Sequence, residues 1–348
     1  DYGQIAQRPL RLPPSFGKNQ HIPIDGDVKE QLKKVLLHFD APIQYALAYG
    51  SGVFPQKGYD SKSKPMIDFI FGVNYTQHWH SLNRNQHRDH YSLVGSLGSR
   101  ALASIQENFG AGIYFNPFIE IDGMTIKYGV VSIDTICKDL LDWETLYVAG
   151  RMHKPVKILR DDARVRLANQ VNLANALRTA LLLLPKEFSE KQLYLAISGD
   201  FRSVVGENPK KLENIVSDQM HHFRLLYGGL IDGMPNVGFV RYHKLQQDDS
   251  IRARSQLIQN LPRALRAKLK EEHRMALVKK GQALPSDNSE LYRSIAAAPE
   301  YRQYIVTALK ETVRRPAITQ SVKGILTAGL SKSIRYTSRK LGKWIKAK

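Results

Sequence analysis

Cysteine, acidic residues and long apolar runs are all scarce in this sequence. Cys137 is the only cysteine among 348 residues, which excludes an intrachain disulfide framework and a zinc cluster built on cysteines. No apolar stretch approaches the roughly 18 residues of a membrane-spanning helix. The run at residues 180–184, for example, stops at Pro185. A polytopic membrane enzyme is therefore excluded, whereas a peripheral one is not.

Basic residues outnumber acidic ones, 51 to 32, which gives a formal net charge of +19. Such a charge draws a chain toward phosphates, whether in nucleic acid, anionic lipid or nucleotides. Hydrophobic residues make up 43% of the chain, so wholesale disorder is excluded. The length suggests two domains, or one large domain with a tail. Because the first residue is Asp1 rather than Met, we expect a trimmed chain without its targeting segment.

The apolar pattern changes from strands to helices along the chain. After an irregular proline-rich start, Asp27 is predicted to cap a helix that Pro42 ends. Runs of β-forming residues predict strands at residues 44–49, 66–71, 113–118 and 125–131, with turns at Asn116-Pro117 and Asp122-Gly123. Helical spacing then predicts helices at residues 163–184, 188–197 and 209–226, a glycine break at 228–233 and a strand at 237–242. The pattern predicts an α+β part followed by a mostly helical part.

A glycine turn between the first two predicted strands carries a chemical signal. Tyr49-Gly50-Ser51-Gly52 follows one strand, and Asp68 lies among apolar residues on the next. Glycines let backbone amides approach phosphate oxygens, and the Ser51 hydroxyl adds a donor. A carboxylate beside that turn can hold magnesium against the same phosphates. The pairing resembles the nucleotidyltransferase superfamily pattern, and an ordinary hairpin with a glycine turn is the alternative.

The second acid of that superfamily pattern is missing, because Ile70 stands two positions after Asp68. A second metal ligand must then come from elsewhere, or the substrate phosphates must hold the metal. Glu120 and Asp122 are the candidate ligands. Each could instead be an ordinary turn or surface acid.

An ordered set of short motifs extends the resemblance from about residue 40 to about residue 330. The set comprises Tyr-Gly-Ser-Gly-Val-Phe at 49–54, Asp68-Phe69, Trp79-His80, Gly110-Ala-Gly112, Tyr114-Phe-Asn116, Ile126-Lys-Tyr-Gly-Val130, Leu146-Tyr147, Ala149-Gly-Arg151, Lys154-Pro-Val-Lys157, Ser198-Gly-Asp-Phe-Arg202 and Gln320-Ser-Val-Lys-Gly-Ile325. Together these motifs resemble the mitochondrial translocator assembly and maintenance family, the peripheral type of CDP-diacylglycerol synthase. No single motif is specific, but the joint set is.

The resemblance implies a fold and an activity. It implies a nucleotidyltransferase-like mixed sheet flanked by helices (residues 1–158) and a winged-helix-like domain (159–243). The residue pattern predicts a helical polar region (244–315) and a basic amphipathic tail (316–348) after them. The implied enzyme is a magnesium-dependent phosphatidate cytidylyltransferase that converts CTP and phosphatidic acid to CDP-diacylglycerol and pyrophosphate. It would supply mitochondrial phosphatidylglycerol and cardiolipin synthesis from the matrix side of the inner membrane, as a peripheral protein.

Within that activity, we expect Asp68 and Ser51 to be catalytic and Asp68 to bind Mg²⁺. Lys and Arg side chains offset the negative charge of a triphosphate and of its leaving pyrophosphate. The predicted substrate-binding residues are Tyr49, Gly50, Ser51, Gly52, Lys127, Arg151, Lys154, Lys157, Asp200 and Arg202. Any one of the basic residues could instead lie on a solvated loop, and Asp200 and Arg202 could pair with each other.

Four histidines, His78, His80, His87 and His90, fall close together in the sequence. Their spacings match no closed zinc pattern and no cysteine assists, so phosphate contact or helix capping is favoured over metal binding. Cys137 is predicted to be a small buried hydrophobe.

The C-terminal tail is the most basic part of the chain. From Lys310 to the end there are eleven basic residues and one acid, Glu311, a local charge of +10 (11 − 1). Apolar residues from position 326 onward recur at helical spacing, with cations on the other face, which is typical of a helix lying in a membrane interface. The predicted membrane contacts are Lys332, Arg335, Arg339, Lys340, Lys343, Trp344 and Lys346. A disordered basic tail and a nucleic-acid contact are the alternatives.

Two other functions compete with lipid cytidylyl transfer. One is a nucleotidyltransferase acting on nucleic acid, which the charge permits but no recognisable RNA- or DNA-reading motif supports. The other is a non-catalytic assembly factor at a membrane, to which the missing acid at position 70 lends weight. The favoured partners are therefore CTP, phosphatidic acid and an anionic membrane surface.

Overall fold

The computed structural model describes residues 15–55, 65–199 and 209–328. Five strands form its first sheet: β1 (Tyr45–Tyr49), β2 (Ile67–Val73), β3 (Ile113–Ile121), β4 (Met124–Ser132) and β5 (Lys157–Arg160). Their spatial order is β3-β4-β2-β1-β5. β2 and β4 run parallel, and the other neighbours run antiparallel. The predicted mixed sheet is confirmed.

One predicted turn of this sheet is wrong. Asn116-Pro117 lies inside β3, where the pairing with β4 shifts register between Asn116 and Ile119. Phe118 has a φ of +56° there, which belongs to a bulge and not to a chain reversal. Because β3 is an edge strand, it tolerates a proline that cannot donate to a neighbour. The Asp122-Gly123 turn is confirmed between β3 and β4.

Helices cover both faces of the sheet: α1 (Gly26–Leu37), α2 (Thr76–Gln86), α3 (Ser99–Asn108), α4 (Ile133–Asp142) and α5 (Ala149–Met152). The cap of α1 is Asp25, two residues before the predicted Asp27, because the Asp25 carboxylate accepts from the amides of Asp27 and Val28. On one face of the sheet, Phe71, Trp79 and Tyr128 pack together.

The other face of the sheet carries Tyr49, Asp68 and Lys127, which lie opposite one another in the strand register. α4 covers this face at its far end, so closely that a Cβ on Gly72 would come within 2.7 Å of Ile133. The segment that follows α4 lies over the end of this face near Asp68.

The rest of the chain is mostly helical: α6 (Ala163–Leu183), α7 (Glu190–Ser198), α8 (Pro209–Asp218), α9 (Met220–Asp232), α10 (Ile251–Gln259), α11 (Arg263–Lys279), α12 (Asn288–Ala297) and α13 (Tyr301–Ala328). Three short strands, β6 (Glu187–Ser189), β7 (Val237–Arg241) and β8 (Lys244–Gln247), pair in the order β6-β8-β7. The helix predicted at 188–197 therefore begins as a strand. The predicted α+β class is confirmed.

The predicted glycine break is also displaced, because Gly228 and Gly229 lie inside α9. The buried side chains of Phe223, Tyr227 and Ile231 on that helix outweigh a cost of about 1 kcal/mol for each glycine.

The second sheet and α13 both extend across predicted domain limits. β8 begins just after the limit at residue 243 and pairs with β6 and β7 on the other side. α13 runs through the limit at 315, with Pro316 inside it, and the limits themselves stay predictions. Within the described ranges, no helix has both the length and the apolar character needed to span a membrane.

Candidate active site

Asp68 and Lys127 form an ion pair at the centre of the candidate site. They lie on the adjacent parallel strands β2 and β4 in direct register. Lys127 Nζ is 3.1 Å from Asp68 Oδ1, and the two side chains are 14% and 25% exposed. Both groups are thus shielded by protein yet open to a ligand.

The glycine turn after β1 lies against Asp68. Gly50 has a φ of +90°, and a Cβ built on it would lie 3.6 Å from Asp68 Oδ2. A Cβ on Gly52 would come within 2.7 Å of Ile67 Cγ1. The amides of Val53 and Phe54 both donate to the Gly50 carbonyl, at 3.1 and 3.0 Å. The predicted convergence of turn and carboxylate is therefore present, with Ser51 half-buried in the turn.

Arg151 faces the same site between two aromatic rings. Its guanidinium carbon lies 5.2 Å from the centre of the Tyr49 ring and 4.6 Å from that of Tyr147. Burial opposes the charged form, but Tyr49, Tyr147 and Asp68 more than offset it and raise the pKa of Arg151 above its usual value. Burial also raises the pKa of Tyr49 to about 12, against the opposing effect of Arg151. Near neutral pH the site thus presents a fixed cation beside a neutral phenol.

The segment that carries Tyr147 and Arg151 is held by the buried carboxylate of Asp139. This carboxylate accepts from the backbone amides of Thr145, Leu146, Val148 and Ala149, and from the Thr145 hydroxyl, at 2.9 to 3.0 Å. The bonds fix the turn from α4 into α5. The geometry of Arg151 therefore depends on a residue that does not face the site.

Lys127 also has an aromatic neighbour. Its Nζ lies 4.4 Å from the centre of the Phe115 ring, on the same face of the sheet. Two cations, Lys127 and Arg151, thus surround one carboxylate, so the site carries a local excess of positive charge suited to a phosphate chain.

The structure places the two other predicted lysines differently. Lys154 follows α5 and is half-buried, with its amide donating to the Arg151 carbonyl at 3.3 Å. Lys157 pairs with Ala48 in the strand register and so lies on the opposite face of the sheet from Asp68. Its Nζ donates to the Ile22 carbonyl at 2.7 Å. The structure therefore does not bring Lys157 to the other site residues.

Neither candidate for a second metal ligand is joined to Asp68. Glu120 accepts from the Thr125 hydroxyl at 2.7 Å. Asp122 Oδ2 lies 2.9 Å from His38 Nε2. Both carboxylates are engaged at the exposed β3–β4 end of the sheet, and Lys127 occupies the strand between that edge and Asp68.

The remaining predicted residues lie outside the described ranges: Asp200, Arg202, Lys332, Arg335, Arg339, Lys340, Lys343, Trp344 and Lys346. Gly199, the residue before Asp200, lines a small cavity with Leu146 and Gly150. The motif that contains Asp200 thus begins beside the segment that carries Arg151.

The clustered histidines have mostly structural contacts. His80 is buried and bonds to Tyr91 and Gln106, and His87 Nε2 donates to the His38 carbonyl. Ligand atoms of His87, Asp89 and His90 lie within 4.8 Å of one another. The two imidazole rings are stacked 4.4 Å apart, and His90 Nδ1 bonds to the Tyr128 hydroxyl, so both rings are already committed to protein contacts.

Sequence reasoning missed the roles of Asp139 and Phe115. For Asp139 a signal existed, because it shares one helical face with the apolar residues Ile136 and Leu140 and a carboxylate at such a position must find buried partners. Phe115 gave no such signal, because its contact with Lys127 depends on the pairing of β3 with β4.

Comparison with known proteins identifies the family of this chain. A family described as "Phosphatidate cytidylyltransferase, mitochondrial" matches residues 32–343. Relatives of that name are 40% identical in Xenopus laevis (91% of this chain, 95% of the relative) and 38% identical in Schizosaccharomyces pombe (95% and 88%). A third, from Saccharomyces cerevisiae, is 36% identical over 94% of this chain and 73% of its own length. The resemblance drawn from the motifs is confirmed, and the chain belongs to the mitochondrial phosphatidate cytidylyltransferase family.

Proposed function

We propose that this chain transfers a cytidylyl group from CTP to phosphatidic acid, forming CDP-diacylglycerol and releasing pyrophosphate. One observation supports this above all others: the Gly50–Gly52 turn, Asp68, Lys127 and Arg151 converge at one end of the sheet. The relatives' name supplies the lipid substrate and the nucleotidyl group. The grouping of two cations with one carboxylate suits a nucleoside triphosphate.

The proposed reaction needs little acid–base help from the protein. A phosphate oxygen of phosphatidic acid is already largely ionised near neutral pH and can attack the α-phosphorus of CTP. A bond from that oxygen to phosphorus forms while the bond between the α-phosphorus and the bridging oxygen breaks, and pyrophosphate leaves. The protein's task is to position the triphosphate and to offset the charge on the leaving group.

Each site residue has a proposed role in that task. Backbone amides and the Ser51 hydroxyl in the turn at 50–52 contact phosphate oxygens. Lys127 and Arg151 offset negative charge, and the Tyr49 and Tyr147 rings keep the guanidinium oriented. Lys154, whose backbone amide donates to the Arg151 carbonyl, would add a further positive charge to the same end of the sheet.

The donor set fits magnesium through one carboxylate. Mg²⁺ is commonly bound by one or two carboxylates together with substrate phosphates, and the small Gly50 leaves space beside Asp68 Oδ2. We propose Asp68 as the protein ligand, with nucleotide phosphates in place of Glu120 or Asp122. A bound Mg²⁺ would supply charge neutralisation on the phosphates.

The finer setting is proposed on the same basis. The relatives are named mitochondrial, and a lipid substrate requires contact with a membrane. We propose a peripheral position on the matrix side of the inner membrane, with the basic tail on an anionic surface. The product would supply phosphatidylglycerol and cardiolipin synthesis.

A product assay tests the proposal directly. The purified chain is incubated with CTP labelled at the α-phosphate and phosphatidic acid, with magnesium or with EDTA. We expect equal amounts of labelled lipid and pyrophosphate, and neither with EDTA. Pyrophosphate release with an RNA oligonucleotide and none with phosphatidic acid would support the nucleic-acid alternative. No release with either substrate would support a non-catalytic role.

A further inference from the structure

Six large apolar side chains lie exposed around the C-terminal half of α13. Leu93 and Leu97, at the two ends of a short 3-10 helix (Leu93–Leu97), are 89% and 66% exposed. The others are Phe109, Ile318, Val322 and Ile325, each more than half exposed. α13 packs against the 3-10 helix, and Lys323 Nζ donates to the Phe109 carbonyl at 2.6 Å. α13 carries three of the six side chains and contacts the segments that carry the others, and we group the six as the apolar rim.

The loop that carries Leu93 and Leu97 is held in place by specific hydrogen bonds and by close packing. Arg84 Nη1 donates to the Gly95 carbonyl at 3.2 Å, and Arg88 Nη2 donates to Ser96 Oγ at 2.7 Å. Gly95 is buried, and a Cβ on it would come within 2.7 Å of Tyr91. These contacts on the inner side of the loop hold the two leucines toward solvent. Exposed apolar side chains held in this way are typical of a surface that binds a membrane or another molecule.

The part of α13 that borders the loop has two distinct faces. Its inner face docks on the protein, since the Gln320 amide group bonds to Ala111 and Ile113 and Lys323 bonds to the α3 end. Ile318, Val322 and Ile325, spaced four and three residues apart, share the outer face.

Cations flank the outer face of α13 in the structure on one side and in the sequence on the other. Arg314 and Arg315 are exposed one turn before Ile318. After the described part of α13, residues 329–348 contain seven Lys or Arg and no Asp or Glu. An apolar surface bordered by cations suits an anionic lipid bilayer, where aliphatic groups enter the acyl boundary and cations meet the headgroups.

We propose that the apolar rim is the surface through which the folded body of this protein enters an anionic membrane. This inference rests on the proposed function only for the identity of the embedded substrate. It assigns to the body a lipid contact separate from the predicted contact of the basic tail. The two contacts differ in physics, because salt screens the tail's attraction but not the burial of the rim.

Vesicle flotation at two salt concentrations separates the two contacts. The full chain and the double variant Leu93→Ser/Leu97→Ser are floated with phosphatidylcholine–phosphatidylglycerol vesicles at low salt and at about 0.5 M salt. We expect the double variant to bind about tenfold less at high salt, because two leucines no longer enter the bilayer. Leu37→Ser is the matched control, since Leu37 is 82% exposed at the end of α1. The second variant, Val322→Ser/Ile325→Ser, should behave like the first.

Turnover of a short-chain, water-soluble phosphatidic acid keeps this test distinct from that of the proposed function. All variants should process it like the parent chain, because the rim lies outside the site. No turnover by any of them would contradict the proposed function and leave the flotation result standing. Equal flotation of parent and double variant at high salt would overturn the inference. So would a loss of self-association in the variants without vesicles, which would assign the rim to a second copy.

Discussion

At the scale of single residues, the site depends on one carboxylate with cations around it. Asp68 is paired with Lys127 at 3.1 Å, and its field reaches Arg151. Ile70 occupies the place of a second acid and is buried in the core, so β2 offers a single carboxylate at this site. Under the proposed function, Lys127, Arg151 and the glycine turn would supply the contacts to the phosphate chain.

Gly50→Ala tests whether the turn must stay close to Asp68. The φ of +90° at Gly50 costs a residue with a Cβ about 1–2 kcal/mol, and the new methyl would lie against Asp68 Oδ2. We expect that loss of stability in urea unfolding and about a hundredfold lower kcat/KM.

Gly123→Ala is the matched control for this prediction. Gly123 has a φ of +73° in the β3–β4 turn, with nothing within 4 Å of an added Cβ. It should lose comparable stability and keep its turnover. Equal turnover in both variants would show that the Gly50 turn does not serve the site.

At the scale of elements, the turn from α4 to α5 decides where Arg151 points. Four amides and a hydroxyl converge on Asp139, which is 4% exposed. Carboxylate bonds of this kind are stronger than neutral ones. The turn is thus a rigid part of the site, although it lies between two helices.

Asp139→Asn keeps the shape of the side chain and replaces one of its two acceptor oxygens with an amide nitrogen. An amide nitrogen would face backbone donors that need an acceptor, so we expect a loss of about 3 kcal/mol in urea unfolding. The folded fraction should also show a lower kcat/KM, because Tyr147 and Arg151 are displaced.

Asp134→Asn, exposed on the same helix, should stay within about 0.5 kcal/mol of the parent. If Asp139→Asn matched that control in stability and turnover, the turn would not be held as described.

The strands and most helices could be predicted because their periodicity is local. The glycine turn and Asp68 could be predicted because the turn directly follows β1 and Asp68 lies on β2, the next strand along the chain. Three features could not be predicted in this way: the bulge at Pro117, the face of the sheet on which Lys157 lies, and the ring of backbone amides that donate to Asp139. The first two depend on strand register, which no local side-chain pattern encodes. For the third, the place of Asp139 on the apolar face of α4 indicates a buried carboxylate, but the backbone amides that bind it cannot be identified from the sequence.

At the scale of the whole molecule, the two faces of the first sheet have different chemistry. The face opposite the site is closed by aromatic rings and by a buried polar network. In this network His80 Nε2 donates to Gln106 Oε1 at 2.8 Å, and its Nδ1 lies 3.0 Å from the Tyr91 hydroxyl. α13 is joined to the same sheet through Gln320 and to α3 through Lys323. Folding of the sheet is therefore sensitive to the charge state of buried groups.

His80 makes the stability of the chain pH-dependent in a defined window. Burial lowers the pKa of His80 from 6.5 to about 4, so between these values the unfolded chain binds a proton that the folded chain does not. The contribution of His80 to the free energy of unfolding is therefore fully present above pH 6.5. It is lost as the pH drops toward 4, by roughly 3 kcal/mol for this group. Urea unfolding across that range measures the slope.

The variant His80→Gln should flatten this slope. His78→Gln, an exposed position on the same helix, should keep the slope of the parent chain. An unchanged slope in His80→Gln would place the origin of the pH dependence elsewhere.

The proposed role of Asp68 is tested most sharply by phosphatidate-dependent pyrophosphate release from CTP in Asp68→Asn, compared with Glu120→Gln. Both changes preserve side-chain shape, and Glu120 is the exposed acid on the same sheet. We expect Asp68→Asn, folded as judged by urea unfolding, to lose on the order of a thousandfold in kcat, while Glu120→Gln stays near the parent. Full activity in Asp68→Asn, or a comparable loss in Glu120→Gln, would contradict a site built on the single carboxylate of Asp68.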